Sequence, residues 1–299
     1  MTQGILSRFN KYQLERFPLA VLVFTTLSVV LSSSAIVLPR SQSIFSNWPA
    51  IIVGTVTGLL FTFLMRVFDD FKDKEFDDKF HGERPVQKSV ISLKELNVLN
   101  IAGITVQITV NLIYSISAFL WWCLAMAYSL LARNEFFIKN WIKKHFHIYN
   151  LLNLMQLFFL QIYLYALISP VIVWSEPLLY AHFIFVLLNS GMLDMARKLK
   201  AGENESKGLD TYSSRWGMKK AALVLGFISA GILVVFTYIS NALGGSIQLI
   251  AYGGIAFIIL LSCLFVYLNW NDGRSSKIVQ AGGVLFFLSV HILIALTRA

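Results

Sequence analysis

WPAIIVGTVTGLLFTFLMRVFDDFKDKEFDDKFHGERP, residues 48–85, passes from eighteen residues without a charge into a run crowded with acids and bases. A bilayer core about 30 Å thick takes roughly 20 apolar residues of helix. Residues 48–65 therefore read as most of a membrane span, and the charged run as its continuation into water. Seven more stretches share the charge-free pattern: 17–38, 99–132, 149–175, 177–193, 221–241, 247–270 and 278–297. Residues 99–132 are too long for one upright span, and 111–117 near their middle, with Asn111, Ser115 and Ser117, predict a tight turn. The count becomes nine. The expected fold class is all-α, a polytopic membrane bundle of about nine transmembrane helices, taken as one domain over 1–299.

Composition agrees. The 299 residues are 57% hydrophobic and 14% charged, against about 45–50% and 25% in soluble domains. Cys123 and Cys263 lie inside apolar stretches and read as small hydrophobes. Residues 1–16 carry Arg8, Lys11 and Arg16 without a cleavage site behind a short apolar core, so the first span reads as retained. The net charge of +9 is unevenly placed. With the N-terminus inside, the inner segments 1–16, 66–98, 133–148, 194–220 and 271–277 hold 3, 7, 4, 7 and 2 Lys plus Arg, 23 of the 25. Only Arg40 and Arg298 fall outside. This is the cytoplasmic bias of membrane proteins, and it accounts for the positive charge without nucleic acid. The expected location is the cytoplasmic membrane, with function on the inner face, where the long loops lie.

The first inner loop holds Asp69, Asp70, Asp73, Asp77 and Asp78. Spacings of three and four put Asp70, Asp73 and Asp77 on one face if the span continues as helix. Like charges so close repel unless a cation joins them. Mg²⁺ is the usual hard ion held by a few carboxylates together with substrate phosphates, and Lys72, Lys74, Arg84 and Lys88 are at hand for those phosphates. A diphosphate fits such a cluster better than a bare metal. The competing reading is a solvated juxtamembrane loop.

Asp69 to Asp77 aligns without a gap on NDxxDxxxD, and Arg84-Pro85 falls where an RP pair is expected. In these residues the chain resembles the UbiA superfamily of intramembrane prenyltransferases. Asp69 stands where that family has Asn. The family's second signature, DxxxD after the sixth span, is answered by Asp194 with Arg197, Lys198, Lys200, Glu203, Glu205 and Asp210. The strict spacing is absent, so Asp194 with Glu203 or Glu205 would replace it. GLDTYSSRWG, residues 208–217, resembles the segment leading into the family's seventh span. The resemblance implies Mg²⁺ at Asp69, Asp70, Asp73, Asp77 and Asp194, with Glu203 or Glu205, and assigns the chemistry to Asp70, Asp73, Asp77 and Asp194. It further implies diphosphate contacts from Lys72, Arg84 and Lys198, ionisation of a prenyl diphosphate to an allylic cation, and capture of that cation by an acceptor. Metal ions and basic side chains offset charge developing on the leaving diphosphate.

Other residues admit two readings. Asn100, Gln107 and Asn111 form a polar stripe that would either orient an acceptor or hydrogen-bond between helices, and Gln156 and Gln161 divide the same way. Asn189, more than a turn before Asp194, is a candidate substrate contact or a packing amide. Arg133 would reach the diphosphate, or belong with Lys139, Trp141, Lys143, Lys144 and His145 to an interfacial segment on anionic lipid. The leading expectation is prenyl transfer to a small aromatic or lipid acceptor. A terpene cyclase on the same scaffold is the alternative, and a transporter or structural bundle the second alternative.

Overall fold

The computed structural model describes residues 4–202, 205 and 211–299, with Lys143 placed by its backbone only. Nine helices among the described residues are long and apolar enough to cross a membrane, and the chain is an integral membrane protein of the all-α class. The helices are α1 (Ile5–Arg16), α2 (Leu19–Val37), α3 (Trp48–Lys72), α4 (Lys74–Phe80), α5 (Leu93–Tyr114), α6 (Ile116–Arg133), α7 (Lys139–Lys144), α8 (Phe146–Ile168), α9 (Pro177–Arg197), α10 (Tyr212–Trp216), α11 (Met218–Ala242), α12 (Ile247–Trp270) and α13 (Gly273–Leu296). They divide into two compact units, 1–27 with 49–170 and 28–48 with 171–299, the division falling within α2.

The turn expected in 111–117 is a single residue. Ser115 is extended (φ −163°, ψ 122°), and its Oγ accepts from the Ala118 amide, closing α5 and opening α6. Ser92 opens α5 with a capping box completed by Glu95, which satisfies amide donors at the helix start that have no partner within the helix. Arg8 of α1 also pairs with Glu95, so a surface helix is tied to a spanning one within the first unit. Gly58 of α3 allows close packing on α2, since a Cβ there would sit 2.6 Å from Thr26 Cγ2. The fifth span ends at Ile168, earlier than position 175, because Pro170 restrains the residue before it to extended backbone.

Without a hydrophobic driving force between helices in lipid, packing relies on close approach and buried polar contacts. In the second unit, buried Ser32 lies 2.8 Å from His291 Nδ1 and 3.2 Å from His182 Nε2, linking α2, α13 and α9. Gly283 of α13 admits Ala196 of α9, whose Cβ would stand 3.1 Å from an added one. Large apolar side chains such as Ile113 and Phe227 point outward, 81% and 76% exposed, the pattern of a surface solvated by acyl chains.

Candidate active site

α3 runs seven residues past the apolar stretch, so Arg66, Asp69, Asp70 and Lys72 are still helical. Asp73 is a slight break (φ −94°, ψ 4°), yet its amide donates to the Asp69 carbonyl at 2.8 Å and the Asp77 amide to its own at 2.8 Å. The segment therefore keeps helical phase into α4. At about 100° per residue, Asp70 and Asp77 lie about 20° apart, Asp69 and Asp73 about 40° apart, and Asp73 about 60° from Asp70. Asp73 is equally about 40° from Asp77, so all four carboxylates fall within about 100° of one another, and it is their partners that divide them into two pairs.

The Asp70 and Asp77 pair faces α1. Asp70, 4% exposed, accepts from Tyr12 Oη at 2.6 Å, Arg16 Nη2 at 3.0 Å and Arg66 Nη2 at 2.5 Å. Asp77 pairs with Arg84, and Arg16 reaches it at 4.0 Å. Burial, then the neighbouring Arg66, lowers the Arg16 guanidinium to about 10, still charged at neutral pH. Burial, then the Asp70 charge, raises the Tyr12 hydroxyl far above its ordinary range, so it remains a proton donor to Asp70.

The Asp69 and Asp73 pair faces α8. Lys72 Nζ donates to Asp69 at 2.9 Å and to Asn153 Oδ1 at 3.4 Å, and sits 4.8 Å from the centre of the Tyr149 ring. Tyr149 Oη donates to Asp73 Oδ1 at 3.4 Å. Burial, then the Asp69 charge, pushes the Asp73 carboxyl up to about 6, with Lys72 and Arg66 opposing. Asp73 thus lacks full counter-charge, unlike Asp70. Arg133 ends α6 with its guanidinium 4.8 Å and 5.4 Å above the Phe68 and Phe71 rings, on the helix that carries the aspartates. Beyond it Glu135, Phe136 and Phe137 are left-handed (φ 49°, 52°, 61°), a conformation costly for side chains with a Cβ. Glu135 and Phe136 of this turn, with Ile142, Tyr149 and Asn153, line a cavity of about 10 Å³.

In the second unit, Asp194 lies on the last turn of α9 and pairs with Arg197 at 2.8 Å and Lys198 at 2.9 Å. Lys198 Nζ is 5.7 Å from the Tyr212 ring centre. Glu205 Oε2 accepts from Thr211 Oγ1 at 2.5 Å; Glu203 and Asp210 lie outside the described residues. Asn189 is fully buried and donates to the Phe185 carbonyl at 2.9 Å, while its Oδ1 has no hydrogen-bond partner among the described residues.

Gln107 and Asn111 join helices of the first unit. Gln107 Oε1 accepts from Trp122 Nε1 at 3.0 Å. Asn111 donates to Thr57 Oγ1 at 3.0 Å and accepts from Tyr163 Oη at 2.7 Å. Sequence spacing missed Tyr12, Arg16 and Tyr149, which reach the aspartates from other helices, and Asn153, which reaches Lys72. Arg66, four residues before Asp70, carried the signal of a helical ion pair.

No group of three or more carboxylate, imidazole or thiol side chains among the described residues is placed to hold a metal unaided. Mg²⁺ does not need such a cage, since it is usually held by one or two carboxylates plus substrate phosphates. Asp69 and Asp73, one turn apart with Lys72 on Asp69 and an elevated Asp73, fit that requirement; Asp70 and Asp77 are matched by Arg16, Arg66 and Arg84.

This is the fold of the UbiA homologues. An apo UbiA homologue from Aeropyrum pernix K1 matches over 91% of the chain and 97% of its own, with TM-score 0.65 and 13% identity. A digeranylgeranylglyceryl phosphate synthase matches over 98% and 99%, with TM-score 0.57 and 14% identity. A UbiA homologue from Archaeoglobus fulgidus bound to DMAPP and Mg²⁺ matches over 94% and 99%, with TM-score 0.55 and 14% identity. No protein-family model and no curated protein matches the sequence.

Proposed function

We propose that this protein is a Mg²⁺-dependent intramembrane prenyltransferase, moving an isoprenyl group from a prenyl diphosphate to a small aromatic or lipid acceptor on the cytoplasmic side of the cytoplasmic membrane. The observation that carries the reading is the Asp69 and Asp73 pair, under-neutralised at the end of α3, on a fold whose Archaeoglobus fulgidus relative binds DMAPP and Mg²⁺. Bound there, Mg²⁺ would offset the charge gathering on the departing diphosphate. Asp69 and Asp73 hold it, and Lys72, Arg84 and Arg133 contact phosphate oxygens. Asp70 and Asp77 set the arginines of that face. Asp194, with either Glu203 or Glu205, supplies a second metal position, and Lys198 a further phosphate contact. Asn189 offers its spare Oδ1 to substrate, while Gln107 and Asn111 hold the helices that shape the acceptor's surroundings. Apolar spans keep water from the allylic cation. The chain acts as one domain.

The test is purified protein in lipid nanodiscs with Mg²⁺, prenyl diphosphates of several lengths and candidate acceptors, followed by diphosphate release and product mass. Mg²⁺-dependent release with an acceptor adduct is expected. Release without acceptor, giving a cyclic hydrocarbon, would make it a cyclase; absence of release at every chain length overturns the reading.

A further inference from the structure

Two residues of α8 hold the aspartate segment from outside it. Tyr149 and Asn153 are one turn apart and so share a face. That face meets Lys72 and Asp73: Asn153 Oδ1 accepts from the Lys72 ammonium at 3.4 Å, the Tyr149 ring lies 4.8 Å beneath the same ammonium, and the Tyr149 hydroxyl donates to Asp73 Oδ1 at 3.4 Å. Lys72 is only 4% exposed, so a flexible lysine is held in one place by an amide, a π-face and Asp69. Held there, the ammonium keeps one fixed position beside the two carboxylates.

We propose that Tyr149 and Asn153 are positioning residues that divide the labour of this face. Tyr149 aims the Asp73 carboxylate toward a divalent cation, and Asn153 fixes the Lys72 ammonium where it can meet a phosphate. The proposal rests on the reading of the site as one for Mg²⁺ and a prenyl diphosphate. Its basis is general: outer partners that orient metal-binding groups typically cost about 10- to 100-fold in metal affinity when removed. At 3.4 Å the hydrogen bond to Asp73 is long for its kind, which puts the expectation at the lower end.

The two roles separate experimentally. Full-length wild type, Tyr149→Phe and Asn153→Ala in nanodiscs are titrated with Mn²⁺ alone, read by the loss of free Mn²⁺ signal, and then with geranyl diphosphate at saturating Mg²⁺. Tyr149→Phe, which keeps the ring beneath Lys72, is expected to weaken Mn²⁺ about tenfold and to leave geranyl diphosphate affinity at saturating Mg²⁺ within about twofold. Asn153→Ala is expected to do the reverse, weakening geranyl diphosphate about three- to tenfold, as loss of one charged contact does. Metal-free thermal midpoints should match wild type. If the wild type binds both probes and the variants match it, or if they lose both affinities together with thermal stability, the positioning roles are wrong while the proposed activity stands. If the wild type binds Mn²⁺ but no geranyl diphosphate at saturating Mg²⁺, the proposed activity is wrong, and Tyr149→Phe still tests the aiming of Asp73. A wild type that binds neither overturns both.

Discussion

The aspartate segment ending α3 and the Asp194 corner ending α9 both place carboxylates at the end of a spanning helix, and they neutralise them differently. In the first, the local Arg66 and Lys72 are joined by cations from outside the helix, Arg16, 54 residues from Asp70, and Arg84 from the loop beyond α4. In the second they are local, Arg197 and Lys198 lying three and four residues after Asp194. Local pairs on a helix end need no tertiary structure and contribute a few tenths of a kcal/mol. Buried pairs assembled from distant elements exist only in the folded state. The first region is therefore coupled to folding and the second is far less so.

The sharpest way to break the contrast is Asp70→Ala. It leaves Arg66, Arg16 and Tyr12 without the acceptor they share, and stranding buried charges of this kind costs about 3–5 kcal/mol. The variant should accumulate poorly and melt at markedly lower temperature. If it accumulates and melts like wild type, the arginines are not held by Asp70. Asp73→Ala should behave oppositely, losing about a hundred- to a thousandfold in turnover with a melting temperature at or above that of wild type at neutral pH, because it removes an under-neutralised charge.

How far these differences were legible depended on their range in sequence. Charge-free length and the Lys/Arg distribution marked nine spans, and Asn111 to Ser117 held the turn, since each is a property of adjacent residues. The aspartates and Arg84-Pro85 were equally plain. Their division into two pairs was not, because it depends on which side chains reach them from other helices, Tyr12 and Arg16 at Asp70 and Tyr149 at Asp73. Repulsion among the aspartates was legible, but not that Arg16 comes from α1 to relieve it at Asp70 while Asp73 is left without full counter-charge. Tyr149 and Asn153 gave no signal: they open an apolar span and resemble the interfacial residues found at the start of any such helix. The Arg40 and Arg298 exceptions to the charge bias make sense only in three dimensions. Arg298 donates to the carbonyls of Ala35 and Leu38 at the end of α2, and Arg40 to that of Ala242, the last residue of α11. Each meets the negative end of a helix other than its own.

The elevated Asp73 sharpens the comparison through pH. A carboxyl at about 6 in the fold, against about 3.9 when unfolded, favours the folded state when protonated. That stabilisation is complete below about pH 4 and is lost as pH rises through about 6. Metal competes with the same proton, so below about pH 6 apparent Mn²⁺ affinity should fall by up to about tenfold per pH unit. Titrations at about pH 5, 6 and 7 check this, and Asp73→Asn should flatten the profile. A flat wild-type profile would place the metal on groups other than Asp73.

The smallest effect is expected at Asp194. Its carboxylate is already matched by Arg197 and Lys198, so Asp194→Ala removes one anion and releases two cations. Losing a metal ligand weakens metal-dependent diphosphate binding, while the freed ammonium and guanidinium strengthen the metal-independent part. The opposed changes should leave geranyl diphosphate affinity about two- to fivefold weaker at saturating Mg²⁺, and the ratio of affinities with and without Mg²⁺ should fall more than either value. Lys198→Ala separates the contributions: it should lower affinity in both conditions and leave the ratio intact. Because the local pairs carry little folding energy, neither variant should move the melting temperature as Asp70→Ala does. An Asp194→Ala protein with the full Mg²⁺ dependence of wild type would assign the metal requirement to the α3 segment alone, leaving the α9 corner as a basic contact for phosphate.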